Sequence, residues 1–227
     1  MQIEVYESDA EALDAAAALV ESTLLATPNA RPVVGIAGGR GGRALMLALS
    51  GRAGLPWTRT RFCVIDEPCG GAGEDPSNRQ LLREHLLAPR GLVPAPAEGA
   101  DGAAVWEADV RAAAGPELTF DLLVLALGEG GEIGVLDADA VARADPAAAV
   151  VRGARRIGLG PAALRNARRV IVVVVGGQRS QALAAAVHPG AGAALPAGLV
   201  LPSERVTWFA DRAAAAELLR DAHPAPA

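Results

Sequence analysis

Apolar positions along the chain fall into two alternating kinds of stretch. Residues 33–37, 61–65, 122–127 and 170–175 are almost continuously apolar and bounded by polar or glycine positions, the pattern of strands buried on both faces. Between them, apolar residues recur at helical spacing over 9–25, 43–50, 76–87, 105–114, 161–167 and 180–187, which predicts amphipathic helices. Residues 2–6 alternate like an edge strand, and 206–209 form a last short strand. Ser8 or Asp9 is placed to cap the first long helix. Asp75 is placed to cap the helix that opens at Pro76, and Asp211 to cap a closing helix ending near Arg220. Residues 150–159 read as an extended segment carrying Arg152, Arg155 and Arg156, with a solvated basic patch as the plain alternative. Residues 137–149 are either a helix or a flap.

Strands alternating with helices from end to end predict an α/β fold: three-layer α/β/α with a mostly parallel, Rossmann-like sheet. Without an internal repeat or linker, residues 1–222 are expected to form a single domain. The Pro/Ala-rich segment 88–100 should be a surface connection, and 223–227 a disordered tail.

The strand ends are where chemistry enters. The strand at 33–37 runs into Gly38-Gly39-Arg40-Gly41-Gly42, and the central strand into Gly128-Glu129-Gly130-Gly131-Glu132. The valine-rich strand breaks at Gly176-Gly177, just before Arg179. In open parallel sheets ligands bind beyond the carboxyl ends of strands. A glycine turn leading into a helix also presents backbone N–H groups and the helix dipole to an anion. Glu132 is therefore either a site residue or one of two solvated glutamates in a tight turn. Asp66 and Glu67, adjacent carboxylates at a strand end, are either catalytic or order the loop that follows.

Composition sharpens this picture. Among 227 residues there is no lysine; every long cation is arginine. That excludes a lysine Schiff base and leaves anion recognition to guanidinium groups. A net charge of −5 gives no general basic field for nucleic acid. No apolar run is long enough to predict a membrane span, and Cys63 and Cys69 alone make no disulfide framework. A soluble cytoplasmic protein is expected.

These landmarks together resemble the 6-phosphogluconolactonase family, in the wider group holding glucosamine-6-phosphate deaminase and ribose-5-phosphate isomerase. Gly38 to Gly42 resembles the family's GGSTP phosphate loop, and Trp57 with Phe62 to Glu67 its segment ending Asp-Glu-Arg. Ser77-Asn78 resembles its Ser-Asn, and Phe120 to Leu136 its FDLVLLGMGPDGHTASLFP. Arg156-Ile157-Gly158-Leu159 resembles Arg-Ile-Thr-Leu, and Val175 to Leu183 its strand, glycine and Lys-Ala turn. Leu195-Pro196-Ala197 and Trp208-Phe209-Ala210-Asp211 resemble the closing signature. The chain departs from these motifs at several points. Asp-Gly-His becomes Gly130-Gly131-Glu132, Asp-Glu-Arg becomes Asp66-Glu67-Pro68, and the phosphate-side lysine becomes Arg179.

The resemblance implies a phosphate or carboxylate held by Gly38, Gly39, Arg40, Gly41 and Gly42 with Arg156 and Arg179. It implies Glu132 as general base in place of histidine, and Asp66 or Glu67 as acid. No metal or cofactor is implied. The expected partner is a small anionic or phosphorylated sugar, with no nucleic acid or membrane, bound by a monomer or homodimer. Lactone hydrolysis or related acid–base chemistry is expected; the alternative is a non-catalytic relative that binds a metabolite or partner. A pocket converging Glu132, Asp66 and the arginines would mark an enzyme, and a filled one a binder.

Overall fold

The computed structural model describes residues 1–69, 77–86, 102–153, 155–188, 195–201 and 203–222. The strands are β1 (Gln2–Tyr6), β2 (Val33–Ile36), β3 (Arg61–Val64), β4 (Asp66–Pro68), β5 (Leu122–Ala126), β6 (Val150–Arg152), β7 (Arg156–Leu159), β8 (Val170–Val174) and β9 (Val206–Asp211). The helices are α1 (Asp9–Ala26), α2 (Gly39–Ser50), α3 (Asn78–His85), α4 (Gly102–Ala114), α5 (Ala138–Arg143), α6 (Pro161–Arg165), α7 (Ser180–Val187), α8 (Pro196–Val200) and α9 (Ala216–Ala222).

Six strands form one parallel sheet in the order β1-β9-β8-β5-β2-β3. Helices flank it, giving the expected three-layer α/β/α arrangement. α1 and α2 pack on each other, α1 on β8 and β9, and α2 on β5. β8 reads VIVVV and is buried at every position, as is β2. Strands covered on both faces have no polar side to present, which is why these runs are continuously apolar. β1 is one edge strand, and its exposure does not follow the alternation of its sequence: Ile3, Glu4 and Tyr6 are half-buried whereas Val5 is exposed. Among the described residues, no helix is long and apolar enough to cross a membrane.

Several local details differ from the sequence pattern. Asp66-Glu67-Pro68 does more than end the preceding strand: it forms strand β4, in a second, antiparallel sheet β4-β7-β6. Residues 39–42 are not a loop ahead of the helix; they form the first turn of α2, with Gly38 as its N-cap. Gly39 has φ +66°, a left-handed conformation that glycine adopts without steric cost. Ser8 caps α1 through a full capping box with Glu11. α3 is capped by Ser77, whose side chain accepts from the Gln80 N–H, so the expected cap at Asp75 gives way to one two residues later. Positions 75 and 76, the connection 88–100 and the tail 223–227 lie outside the described residues. Residues 137–149 contain only the short helix α5, capped by Asp137. Asp211 is the last residue of β9 and accepts from Ala214 N–H at 2.8 Å. It thus caps the turn before α9 and not the helix itself.

Gly42 is a packing requirement. A Cβ there would lie 2.0 Å from the Ala37 carbonyl oxygen, a backbone atom fixed by the sheet. Gly42→Ala gains up to about 1 kcal/mol in helix propensity but collides with an atom that cannot swing away. We expect a net loss of ~1–3 kcal/mol from overpacking, read as a Tm lower by roughly 2–12 °C. An unchanged melting temperature would contradict this.

The two cysteines are unpaired. Cys63 is buried in β3, whereas Cys69 is half-buried. Burial pushes the Cys63 thiol up to about 12, because the thiolate loses its hydration. At pH 8 a thiol reagent is expected to modify Cys69 in the native protein and Cys63 only after unfolding. Equal native reactivity of both would show that β3 is less tightly covered than described.

Candidate functional site

The sheet order reverses direction between β2 and β5. β2 leads outward to β3, whereas β5, β8 and β9 extend the sheet the other way. At such a switch point the connections leave in opposite directions and open a crevice at the carboxyl edge. An open cleft of about 750 Å³ lies there. Its lining includes strand-end residues Gly38 after β2, Asp66 after β3, Gly128 after β5, Gly176 after β8 and Asp211 of β9.

Most of the residues expected at a site converge on this cleft: Glu132, Asp66, Arg156, Arg179, Gly38, Gly39, Arg40 and Gly41 all line it. Two do not. Gly42 sits behind the turn, packed on the Ala37 carbonyl. Glu67 is buried in β4 and its carboxylate accepts from the Ser77 hydroxyl and from the Arg79 N–H. It thus fixes the start of α3, and ordering the chain beyond β4 is the role its geometry supports.

Glu132 is held by the turn that follows β5. Leu127 pairs with Ile133, and Ile133 with Leu136. The Gly131 N–H donates to the Gly128 carbonyl, and Gly131 has φ +81°. The half-buried Glu132 carboxylate folds back over this turn, where its Oε2 accepts from the Gly130 N–H at 2.9 Å. A Cβ on Gly128 would lie 1.9 Å from the Glu132 carboxyl group. The glycine after β5 is therefore what lets the acid lie against the strand end. Oε1 has no hydrogen-bond partner among the described residues.

Asp66, buried at the junction of β3 and β4, accepts at Oδ2 from Arg156 Nε at 2.5 Å. β4 and β7 are antiparallel partners, with Pro68 opposite Arg156, so the small sheet brings the arginine to the acid across 90 residues of chain. Asn78 completes the arrangement: its Nδ2 donates to the Asp66 carbonyl at 2.7 Å and to Oδ1 at 3.2 Å. Its side chain also fills the space that a Cβ on Gly38 would need. Asn78 is a positioning residue that sequence reasoning did not assign. The only signal was its place in the Ser-Asn pair before α3.

On the opposite wall Arg179 is fixed by two carbonyls. Nε donates to Leu127 O at 2.9 Å and Nη1 to Val175 O at 3.1 Å. Its Nη2 lies 3.8 Å from Glu129 Oε1, and the exposed Arg40 Nη2 lies 3.5 Å from the same oxygen. Two guanidinium groups thus share one carboxylate at the mouth of the cleft, beside the first turn of α2. Behind them Asp211 accepts from the Gly176 N–H with both oxygens, at 3.1 and 3.2 Å, which ties the end of β8 to β9. His85 ends α3 and His188 follows α7; neither lines the cleft.

A model of the family described as glucosamine-6-phosphate isomerases/6-phosphogluconolactonase matches residues 7–208, nearly the whole chain. The chain belongs to this family. A 6-phosphogluconolactonase of Mycobacterium leprae (strain TN) is 27% identical over 242 residues, spanning 95% of this chain and 98% of that protein. Among solved structures, a 6-phosphogluconolactonase from Trypanosoma cruzi superposes with a TM-score of 0.80 at 21% identity, over 96% of each chain. One from Thermotoga maritima gives 0.76 at 21% identity, over 92% of this chain and 99% of that one. These structural likenesses carry the fold.

Proposed function

We propose that this chain hydrolyses the lactone ring of a phosphorylated sugar, with Glu132 as general base. The observation that carries this reading is the convergence of Glu132, the Asp66–Arg156 pair and Arg179 with the α2 turn in one open cleft.

In this mechanism the sugar's phosphate sits at the mouth, between Arg40 and Arg179, and displaces the Glu129 carboxylate that now bridges them. The N–H groups of the first turn of α2 and the helix dipole add to its stabilisation. Glu132 takes a proton from a water molecule as the water oxygen attacks the lactone carbonyl. The carbonyl oxygen gains negative charge as it does so, and Arg156, anchored by Asp66, is the cation placed to stabilise it. Collapse of that intermediate breaks the bond to the ring oxygen, which takes up the proton that Glu132 accepted from water; the carboxylate is regenerated and the product is a phosphorylated sugar acid.

The machinery comes from one chain, so a monomer or a homodimer serves equally. Two unpaired cysteines suit a reducing compartment, and the reading sets the protein in the cytoplasm. The test is turnover of 6-phosphogluconolactone, measured against its spontaneous hydrolysis. Enzyme-dependent acceleration proportional to protein concentration supports the reading. Its absence, together with tight binding of a sugar phosphate in a thermal-shift screen, would replace it with a binding function.

A further inference from the structure

The turn after β5 carries two glutamates that differ in what holds them. Glu132 closes the turn: its backbone carbonyl accepts from the Gly128 N–H at 3.0 Å, and its carboxylate from the Gly130 N–H at 2.9 Å. The Gly131 N–H donates to the Gly128 carbonyl at 3.2 Å and completes it. The Glu129 side chain takes no part in this. Among the described residues it makes no hydrogen bond. Its contacts are two guanidinium groups, Arg40 Nη2 at 3.5 Å and Arg179 Nη2 at 3.8 Å, both to Oε1.

Arg179 does not depend on Glu129 for its position, because the Leu127 and Val175 carbonyls already fix its guanidinium. The Glu129 side chain is more than half exposed, so charge alone holds it, and salt weakens that hold. Glycines stand on both sides of it in the chain, which leaves its backbone free to move aside. A carboxylate that neither builds the turn nor orients the buried arginine, yet lies between two cations, stands where a ligand's anion would.

We propose that Glu129 is a built-in competitor for the anion site, occupying Arg40 and Arg179 when the cleft is empty and lowering the apparent affinity for a phosphorylated ligand. This rests on the reading above that phosphate binds between these two arginines. When the binding-competent state is only partly populated, the apparent Kd rises by the inverse of that fraction. The Glu129 charge also repels the phosphate that displaces it. The same contact favours release, since Glu129 returns to the arginines as the product leaves.

Titration calorimetry of glucose 6-phosphate against the wild type, Glu129→Gln, Glu129→Ala and Arg179→Ala provides the test. At ~0.01 M ionic strength, where charges act over about 30 Å, both Glu129 variants are expected to bind about 5-fold more tightly than the wild type. That factor corresponds to about 1 kcal/mol. The advantage should shrink towards unity at ~1 M, because salt screens both the hold on the arginines and the repulsion of phosphate. A gain in Glu129→Gln but not in Glu129→Ala would belong to a new hydrogen bond from the amide and overturns the proposal. Unchanged or weaker affinity in both Glu129 variants, or a gain that salt does not alter, also overturns it. In those cases a loss in Arg179→Ala leaves the anion site standing without its competitor. If the wild type does not bind the ligand, or none of the variants alters its binding, the competitor and the anion site fall together.

Discussion

Glu132→Gln is expected to lower turnover of a phosphorylated lactone by ~10²–10⁴-fold, the usual contribution of a general base. The amide keeps the size and shape of the carboxylate, and its carbonyl oxygen can still accept the Gly130 N–H that holds Glu132 Oε2 at 2.9 Å. The turn should therefore survive, and the melting temperature should stay near that of the wild type. What disappears is the capacity to take a proton from water. KM should change little, because Glu132 is not among the cations that hold the phosphate. Full turnover in this variant would move the base elsewhere. Among the described residues neither His85 nor His188 lines the cleft, so Asp66 would then be the next group to examine.

The second large effect is expected at Arg179. Arg179→Ala should weaken binding of a phosphorylated ligand by ~1.5–3 kcal/mol, the range for hydrogen bonds to charged groups, which is roughly 10- to 150-fold in Kd. The magnitude follows from how the side chain is held. Two carbonyl contacts, from Leu127 and Val175, fix the guanidinium before any ligand arrives, so little conformational entropy remains to be lost on binding. Its side chain is only 18% exposed, so bulk water screens its charge less than that of the 81% exposed Arg40. Arg179→Lys keeps the charge but not the fork that reaches both carbonyls and Glu129 at once, and it should recover only part of the loss. Unchanged affinity for every phosphorylated ligand in Arg179→Ala would remove this residue from the anion site.

The architecture could be read from local pattern because the parallel sheet is locally encoded. β5 and β8 are short apolar runs with glycine at or just beyond their ends, and a strand buried on both faces leaves no other pattern. The positions of Glu132 and Arg179 followed from the same logic, since every parallel strand delivers its next few residues to one edge. Information that depends on distant partners was not legible. Asp66-Glu67-Pro68 looks like a strand end, and it becomes β4 only because β7, some ninety residues on, pairs with it. Glu67 and Asp66 are neighbours of the same type, yet alternation along β4 sends one carboxylate to α3 and the other to the cleft. Gly42 looked like one more member of a phosphate loop until its contact with the Ala37 carbonyl was seen.

The most direct test of the central claim is a crystal structure of the protein with 6-phosphogluconate, the product of the proposed reaction. The account predicts the phosphate between Arg40 and Arg179 over the first turn of α2, with Glu129 swung away. It places the carboxylate of the sugar acid within hydrogen-bond reach of Arg156 and beside Glu132. A product bound with its phosphate remote from Arg179, or with its carboxylate directed away from Glu132, would contradict it.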